Sequence, residues 1–264
     1  SLCEQIKSEH IAPLTFTGRY PGYALRGFYF PWVISLGGLE VLNRAQNLEP
    51  GAWKDPAFVR AAEYVVDFKR KGYFQSGCIG MNHTESQMEF LVGRAAMIPC
   101  GTWLHSEMAN LLPSDFVMEF MLCPVFEDGK GEPSLICANL NGHEWFIGSK
   151  SKHPDLAADF FRYIASPQNA RRFVEQKGTL MSVVGLGEVN APPHLLKPLE
   201  YVESAKGTWS LDYEEWYPEM GTEIQNLFRD LYNNLLTPEQ FVEQMEKQAE
   251  KVRSDSHIQK FKVP

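Results

Sequence analysis

Residues 90–112 read FLVGRAAMIPCGTWLHSEMANLL. A short apolar run, 94–99, is bounded by glycine and proline as a buried strand is. It runs into Gly101-Thr102-Trp103, after which the pattern turns helical. A large indole thus stands behind a glycine where a strand hands over to a helix. A core tryptophan needs no glycine beside it, whereas a ring offered to a ligand does. The carboxyl end of a strand is also where open α/β folds place their ligand clefts.

Outward from this stretch the helix signals are strong. Asp55-Pro56 reads as N-cap and first helical residue, with Gly72 as the stop and Phe58, Ala62, Val65 and Val66 on one face. Pro154 opens a helix with Leu156, Ala157, Phe160, Phe161 and Ile164 inward, and Ser166-Pro167 opens another, carrying Ala170, Phe173 and Val174 to Gly178. Residues 220–236 repeat Ile224, Leu227, Phe228, Leu231 and Leu235 at helical spacing. Thr237-Pro238-Glu239-Gln240 is a capping box, followed by the stripe Phe241, Met245, Ala249 and Val252. Residues 2–10 read as the end of another helix. Strands are expected at 12–16, 94–99, 116–125 and 144–148, and the Gly- and Pro-rich segment 182–198 reads as a connection. Single strands separated by helices make this an α/β chain.

The totals set the outer limits. The 264 residues exceed what one average core needs and suffice for two lobes. A formal charge of -8 argues against nucleic acid or an anionic membrane as partner, since both call for clustered Lys and Arg. No apolar run approaches the roughly 20 residues of a membrane span, and no signal-peptide pattern is present. Five cysteines, Cys3, Cys78, Cys100, Cys123 and Cys137, are too scattered for a disulfide framework, and buried thiols are the expectation.

Catalytic and metal motifs fail. The chain holds no dinucleotide, phosphate-loop, zincin or nucleophile-elbow pattern, so no cofactor is expected. Ser149 and Lys152 share the spacing of a serine–lysine pair, but the accompanying Lys-Thr-Gly is missing. His143-Glu144 has no second histidine at helical spacing, which leaves no metal site. Asn82-His83-Thr84 is a glycosylation sequon only in a glycosylating host. Glu214, Glu215 and Glu219 beside Trp216 keep a glycosidase carboxylate pair open, with no distance fixed. What remains is aromatic. Phe16, Tyr20, Tyr23, Phe28, Tyr29, Phe30 and Trp32 crowd beside Arg19 and Arg26, and Trp209, Tyr213, Trp216 and Tyr217 form a second group. Taken singly, most such rings fill cores. As a set they suit an uncharged amphipathic ligand such as a sugar, whose C–H face stacks while its hydroxyls hydrogen-bond.

The order of the pieces resembles the extracellular solute-binding proteins of ABC transporters, the family that includes maltodextrin-binding protein. FPWVISLGG (30–38) is similar to the family's aromatic helix ending in a Gly-Gly turn. DPAFVRAAEYVVDFKRKGYF (55–74) resembles a helix of the substrate lobe, and FLVGRAAMIPCGTW (90–103) its F-x-x-G-x-x-A-M pattern followed by G-x-W. Residues 141–178 resemble the crossing between lobes, and NLLTPEQFVEQMEKQAEKV (234–252) the closing helix pair.

The resemblance implies a periplasmic-binding-protein-like type II α/β fold, mostly its C-terminal lobe. Residues 1–140 would form the first part of that lobe, 141–195 the return toward the N-terminal lobe, and 196–264 the closing helices. Family members carry a further β-α lobe ahead of the point matching Ser1. The strand at 144–148 would then lack neighbours and either pair with another copy or pack irregularly. The implied work is ligand capture in a cleft that closes by a hinge, read by a membrane permease, in a periplasmic or extracellular setting that includes lipid-tethered forms; nothing is transformed. Carried over residue by residue, the implied ligand contacts are Gly101, Thr102, Trp103, Arg26, Phe28, Tyr29, Asn141 and Trp216, with Asn139 as a hinge candidate and Trp209 as a rival of Trp216. A sugar is expected. A polyamine, peptide or organic acid is the alternative, and the helix end after Gly101 also suits an anion.

Overall fold

The computed structural model describes residues 1–137, 145–181 and 188–263. Along the chain run α1 (Leu2–Ser8), β1 (Ala12–Leu14), α2 (Gly22–Ala24), a π-helical turn (Leu25–Tyr29), α3 (Phe30–Gly37), α4 (Leu39–Gln46) and α5 (Pro56–Arg70). Then come α6 (His83–Leu91), β2 (Ala95–Met97), the single-turn α7 (Leu104–Glu107), β3 (Leu135–Cys137), α8 (Pro154–Ile164), α9 (Pro167–Lys177) and α10 (Pro193–Ser204). Last are β4 (Gly207–Trp209), α11 (Tyr213–Trp216), α12 (Pro218–Tyr232) and α13 (Pro238–Ser254). Two compact units result: the first is residues 1–99, 122–138 and 206–264, the second 100–121 and 139–205.

In the first unit, β1 and β2 pair in parallel, Ala12 opposite Ala95 and Leu14 opposite Met97. Phe74 joins Leu14 from the other side as an isolated parallel bridge. β3 and β4 form a second parallel pair, Leu135 to Cys137 against Gly207 to Trp209. Helices cover these short strands. Asp55 caps α5 by accepting from the Ala57 N–H at 3.0 Å, and the face buried below it is Ala57, Phe58, Ala61, Ala62 and Val65. Thr237 and Gln240 close the capping box of α13, as the sequence predicts. α12 buries Ile224, Leu227, Phe228 and Leu231 but ends at Tyr232, so Leu235 lies beyond it and 70% exposed. Phe16, fully buried just past β1, is the hub of the core; Phe74, Tyr232, Phe28 and Phe228 ring it edge-on at 5.3, 5.5, 5.9 and 6.2 Å.

The second unit holds α7 to α10. In α8, Leu156 and Phe160 are exposed at 66% and 54%, not inward as the spacing predicts. Trp145 approaches Phe160 at 6.4 Å without burying it, so periodicity marks an apolar stripe without saying how far it is covered. In α9, Ala170 and Val174 are buried, whereas Phe173 is 41% exposed. The expected connection at 182–198 is partly helix, because α10 begins at Pro193, where a proline is tolerated in a first turn.

Two expected strands are absent among the described residues. No strand forms at 116–125. Trp145 to Gly148 likewise join no ladder; Trp145 instead meets Phe161 edge-on at 5.1 Å and Phe146 is 84% exposed. The two strands β3 and β4 and the bridge at Phe74 went unforeseen, being too short for alternation to register. All five cysteines are free thiols, and burial pushes the Cys78 thiol up to about 11.

A buried carboxylate ties α13 to the 52–54 turn. Glu246 accepts from the Gly51 N–H at 2.9 Å, the Trp53 N–H at 3.2 Å and the Arg253 guanidinium at 2.9 Å. Glu246→Ala leaves the buried Trp53 amide, the Gly51 amide and a largely covered cation unmatched, and should lower unfolding free energy by about 2–4 kcal/mol. Denaturant titration against Glu250→Ala, on the exposed side of the same helix, measures the difference.

Candidate functional site

The first unit places Arg26 on the π-helical turn that precedes α3. Such turns widen a helix locally and recur where a side chain must be aimed. The neighbour Gly27 has no room for a side chain: a Cβ there would stand 2.1 Å from the Pro99 Cβ, just past β2. Arg26 therefore leaves the backbone beside the carboxyl end of the β1–β2 pair. Its Nη2 bonds Glu214 Oε2 of α11 at 2.5 Å, with the two side chains 20% and 11% exposed. Burial raises the Glu214 carboxyl above its usual range, and the Arg26 charge opposes that rise. Glu214 Oε1 is enclosed with no partner among the described residues, as is the Tyr213 hydroxyl next along the chain.

Phe28 and Tyr29 point the other way. Phe28 packs in the aromatic core against Trp32 at 5.1 Å and Phe74 at 5.4 Å. Tyr29 is fully buried; its hydroxyl donates to the Phe58 carbonyl at 3.2 Å, and burial pushes its pKa well up. Both rings, expected from the resemblance as ligand contacts, are instead enclosed in the core. Trp216 is half-buried, and Phe261 of the C-terminal tail stacks on it at 5.5 Å. The tail is pinned there by a reciprocal pair of bonds between Asn47 and the Val263 backbone, at 2.7 and 3.2 Å. The rival Trp209 is buried in β4. Glu215 and Glu219, the other acids beside Trp216, are exposed.

In the second unit, Gly101, Thr102 and Trp103 are all half-buried ahead of α7. A Cβ on Gly101 would stand 1.9 Å from Cζ3 of the Trp103 indole. The ring folds back over its own chain and occupies the space a side chain would take, which is why a glycine precedes it. Leu104 N–H donates to the Gly101 carbonyl at 3.2 Å and Ser106 Oγ to the Trp103 carbonyl at 2.9 Å, fixing the turn. α7 has four residues, so its dipole is small and the anion reading of this helix end weakens. His105 stacks on His194 at 3.8 Å with the rings 11° apart, and His194 Nε2–H donates to the Gly178 carbonyl at 2.8 Å. Burial first, and the His194 charge second, hold His105 below the ordinary histidine value of 6.5. Asn139, Asn141 and the His143-Glu144 pair lie outside the described residues. No group of three or more His, Cys, Asp or Glu among the described residues is placed to hold a metal ion.

Residues 16–184, more than half of the chain, match the family model of the bacterial extracellular solute-binding proteins. The chain belongs to that family. This solute-binding protein is 24% identical over 242 residues to the diacetylchitobiose binding protein NgcE of Streptomyces coelicolor, an alignment covering 87% of this chain and 50% of NgcE. Its fold is shared with a chitin oligosaccharide binding protein at a TM-score of 0.79 and 22% identity, over 94% of this chain and 62% of that one. The raffinose complex of the solute-binding protein RafE matches at 0.67 and 18% identity, over 93% and 62%. The architecture is therefore periplasmic-binding-protein-like, and this chain spans about half the length of the curated relative it matches. No described helix is long and apolar enough to cross a membrane.

The ion pair and the histidine stack escaped sequence reasoning, because their members are far apart in the chain. Glu214 had stood out only as a candidate glycosidase acid.

Two outcomes follow. Gly101→Ala should displace the indole at a stability cost of about 1–3 kcal/mol, and the same change in a Trp103→Ala background should cost far less. Denaturation of the four-variant cycle reads this coupling. Because the folded His105 pKa is lowered, the unfolded chain takes up its proton first as the pH falls below 6.5. Stability should thus drop from that value down to the lowered folded pKa, and His105→Asn should flatten the slope in thermal melts across that range.

Proposed function

We propose that this chain carries the ligand-binding surface of an extracellular receptor serving an ABC importer, with a sugar or oligosaccharide as ligand. The observation behind the reading is the half-buried Trp103 indole, laid over Gly101 where any side chain would displace it. An aromatic face held at fixed orientation offers a sugar ring a stacking surface of low entropic cost. The names of the relatives point the same way: NgcE is a diacetylchitobiose binding protein and RafE is seen with raffinose. The ligand is handed to a membrane permease unchanged, and the work takes place outside the cytoplasmic membrane. Capture without turnover fits the candidate acids, since Glu214 is committed to Arg26 and Glu215 and Glu219 face solvent. Thr102 stands next to the indole with a hydroxyl that can hydrogen-bond a sugar.

Tryptophan fluorescence of the full-length protein, titrated with N,N′-diacetylchitobiose, raffinose and maltotriose, tests the proposal. At least one should shift the emission saturably, and Trp103→Ala should weaken that binding at least about tenfold. Saturable binding of a polyamine or peptide with no response to any sugar would replace the carbohydrate reading by another solute.

A further inference from the structure

The histidine stack of the second unit bears on how Trp103 is held, and its consequence for binding rests on the reading of that indole as the stacking surface. α7 is a single turn, Leu104–Glu107, and so short a helix has no stability of its own in water. Contacts outside the turn must hold it. Leu104 and Met108 are buried. His105 reaches α10, where its ring lies on that of His194 at 3.8 Å and 11°. His194 is itself fixed. A carbonyl only accepts, so His194 Nε2 carries the proton that bonds the Gly178 carbonyl at 2.8 Å, at the cap of α9. The ring lies close against that cap, since a Cβ on Gly178 would stand 3.0 Å from its Cε1. At the other end, the Trp103 carbonyl accepts from the Glu107 N–H at 2.8 Å and from Ser106 Oγ at 2.9 Å. The residue that carries the indole is thus bonded into the turn that carries His105.

This clasp is sensitive to protons. Two neutral imidazoles stack readily, whereas two imidazolium rings at this separation repel. Burial, then the charge of His194, disfavours the proton on His105. The other ionisable side chains along α7, the end of α9 and the start of α10 are Glu107, Glu175, Lys177, Lys197 and Glu200. Lys197 is paired with Glu200, Glu175 accepts from the Asn190 N–H at 3.1 Å, and none of the five shifts His105. We infer that His105 and His194 are positioning residues for Trp103: their stack holds α7, and through it the indole, against α10 and the α9 cap, and mild acid releases it. The released turn takes up its proton at the ordinary histidine value of 6.5, the stacked one only below it. Falling pH therefore shifts the population toward release, by at most about tenfold per pH unit for one proton.

Indole N–H resonances in NMR spectra of the full-length protein, recorded without ligand, test the positioning directly. The Trp103 signal, assigned by its loss in Trp103→Phe, should move between about pH 7.5 and 5. In His105→Phe, whose ring keeps a stacking face and has no proton to gain, it should stay still. Fluorescence titration with whichever of N,N′-diacetylchitobiose, raffinose and maltotriose the wild type binds supplies the second readout. Wild-type affinity should fall at least about fivefold over the same range, and that of His105→Phe should stay near the neutral-pH level throughout. His194→Ala, a change outside the proposed stacking surface, should already bind weakly at neutral pH. A wild-type Trp103 signal blind to pH overturns the inference, a measurement that stands even where a variant fails to fold. A signal that moves equally in folded His105→Phe overturns it too. Sugar binding that is independent of pH overturns it while leaving the proposed function intact. A Trp103 signal that follows His105, with no sugar response, removes the proposed function and supports the positioning role.

Discussion

The packing of Phe16 is the constraint on which the first unit depends. It follows β1 directly, and four rings from three separate parts of the chain close on it edge-on: Phe28, Phe74, Phe228 and Tyr232. Edge-to-face contacts at these separations fix ring orientation as well as burial. Phe28 lies on the same turn as Arg26, so the core that fixes Phe28 also fixes the direction from which Arg26 departs. Phe228 and Tyr232 belong to α12, which follows α11 and its Glu214 after a single residue. Both ends of the ion pair are thus anchored through one aromatic hub, and neither side chain pays for its own alignment.

Close approach does the remaining positioning. Where Gly27 meets Pro99 and where Gly101 meets the Trp103 indole, the space of a missing Cβ is filled by another part of the protein. Filling such space forfeits no dispersion contact, and it leaves the facing group a single place to lie. The indole at residue 103 is therefore held from one side by its own backbone, so that its orientation is set by sterics and not by a hydrogen bond.

Much of this was legible in the sequence, and the limits are physical. The helices of α5 and α13 announce themselves because Asp55-Pro56 and Thr237-Pro238-Glu239-Gln240 are local capping chemistry. The turn at Gly101 was legible for the same reason: both partners are neighbours in the chain. β3 and β4 were not, since three residues cannot display a period of two, and their pairing joins distant segments. The stripe on α8 was read as apolar, which it is, but burial depends on a neighbour that no periodicity names. Arg26 was singled out in the sequence while its ion-pair partner was not, because nothing at Glu214 distinguishes an acid bound to arginine from the exposed acid beside it.

That last gap decides how the acids near Trp216 should be understood. A glycosidase needs one carboxyl protonated for acid catalysis and a second, ionised, across the scissile bond. Burial alone would push Glu214 toward the first role. Arg26, at 2.5 Å, opposes that shift by favouring the ionised form, while Glu215 and Glu219 are too exposed to serve as its desolvated counterpart. The same contact, with Gly27 pressed on Pro99, holds the Arg26 guanidinium in place beside the carboxyl end of the β1–β2 pair.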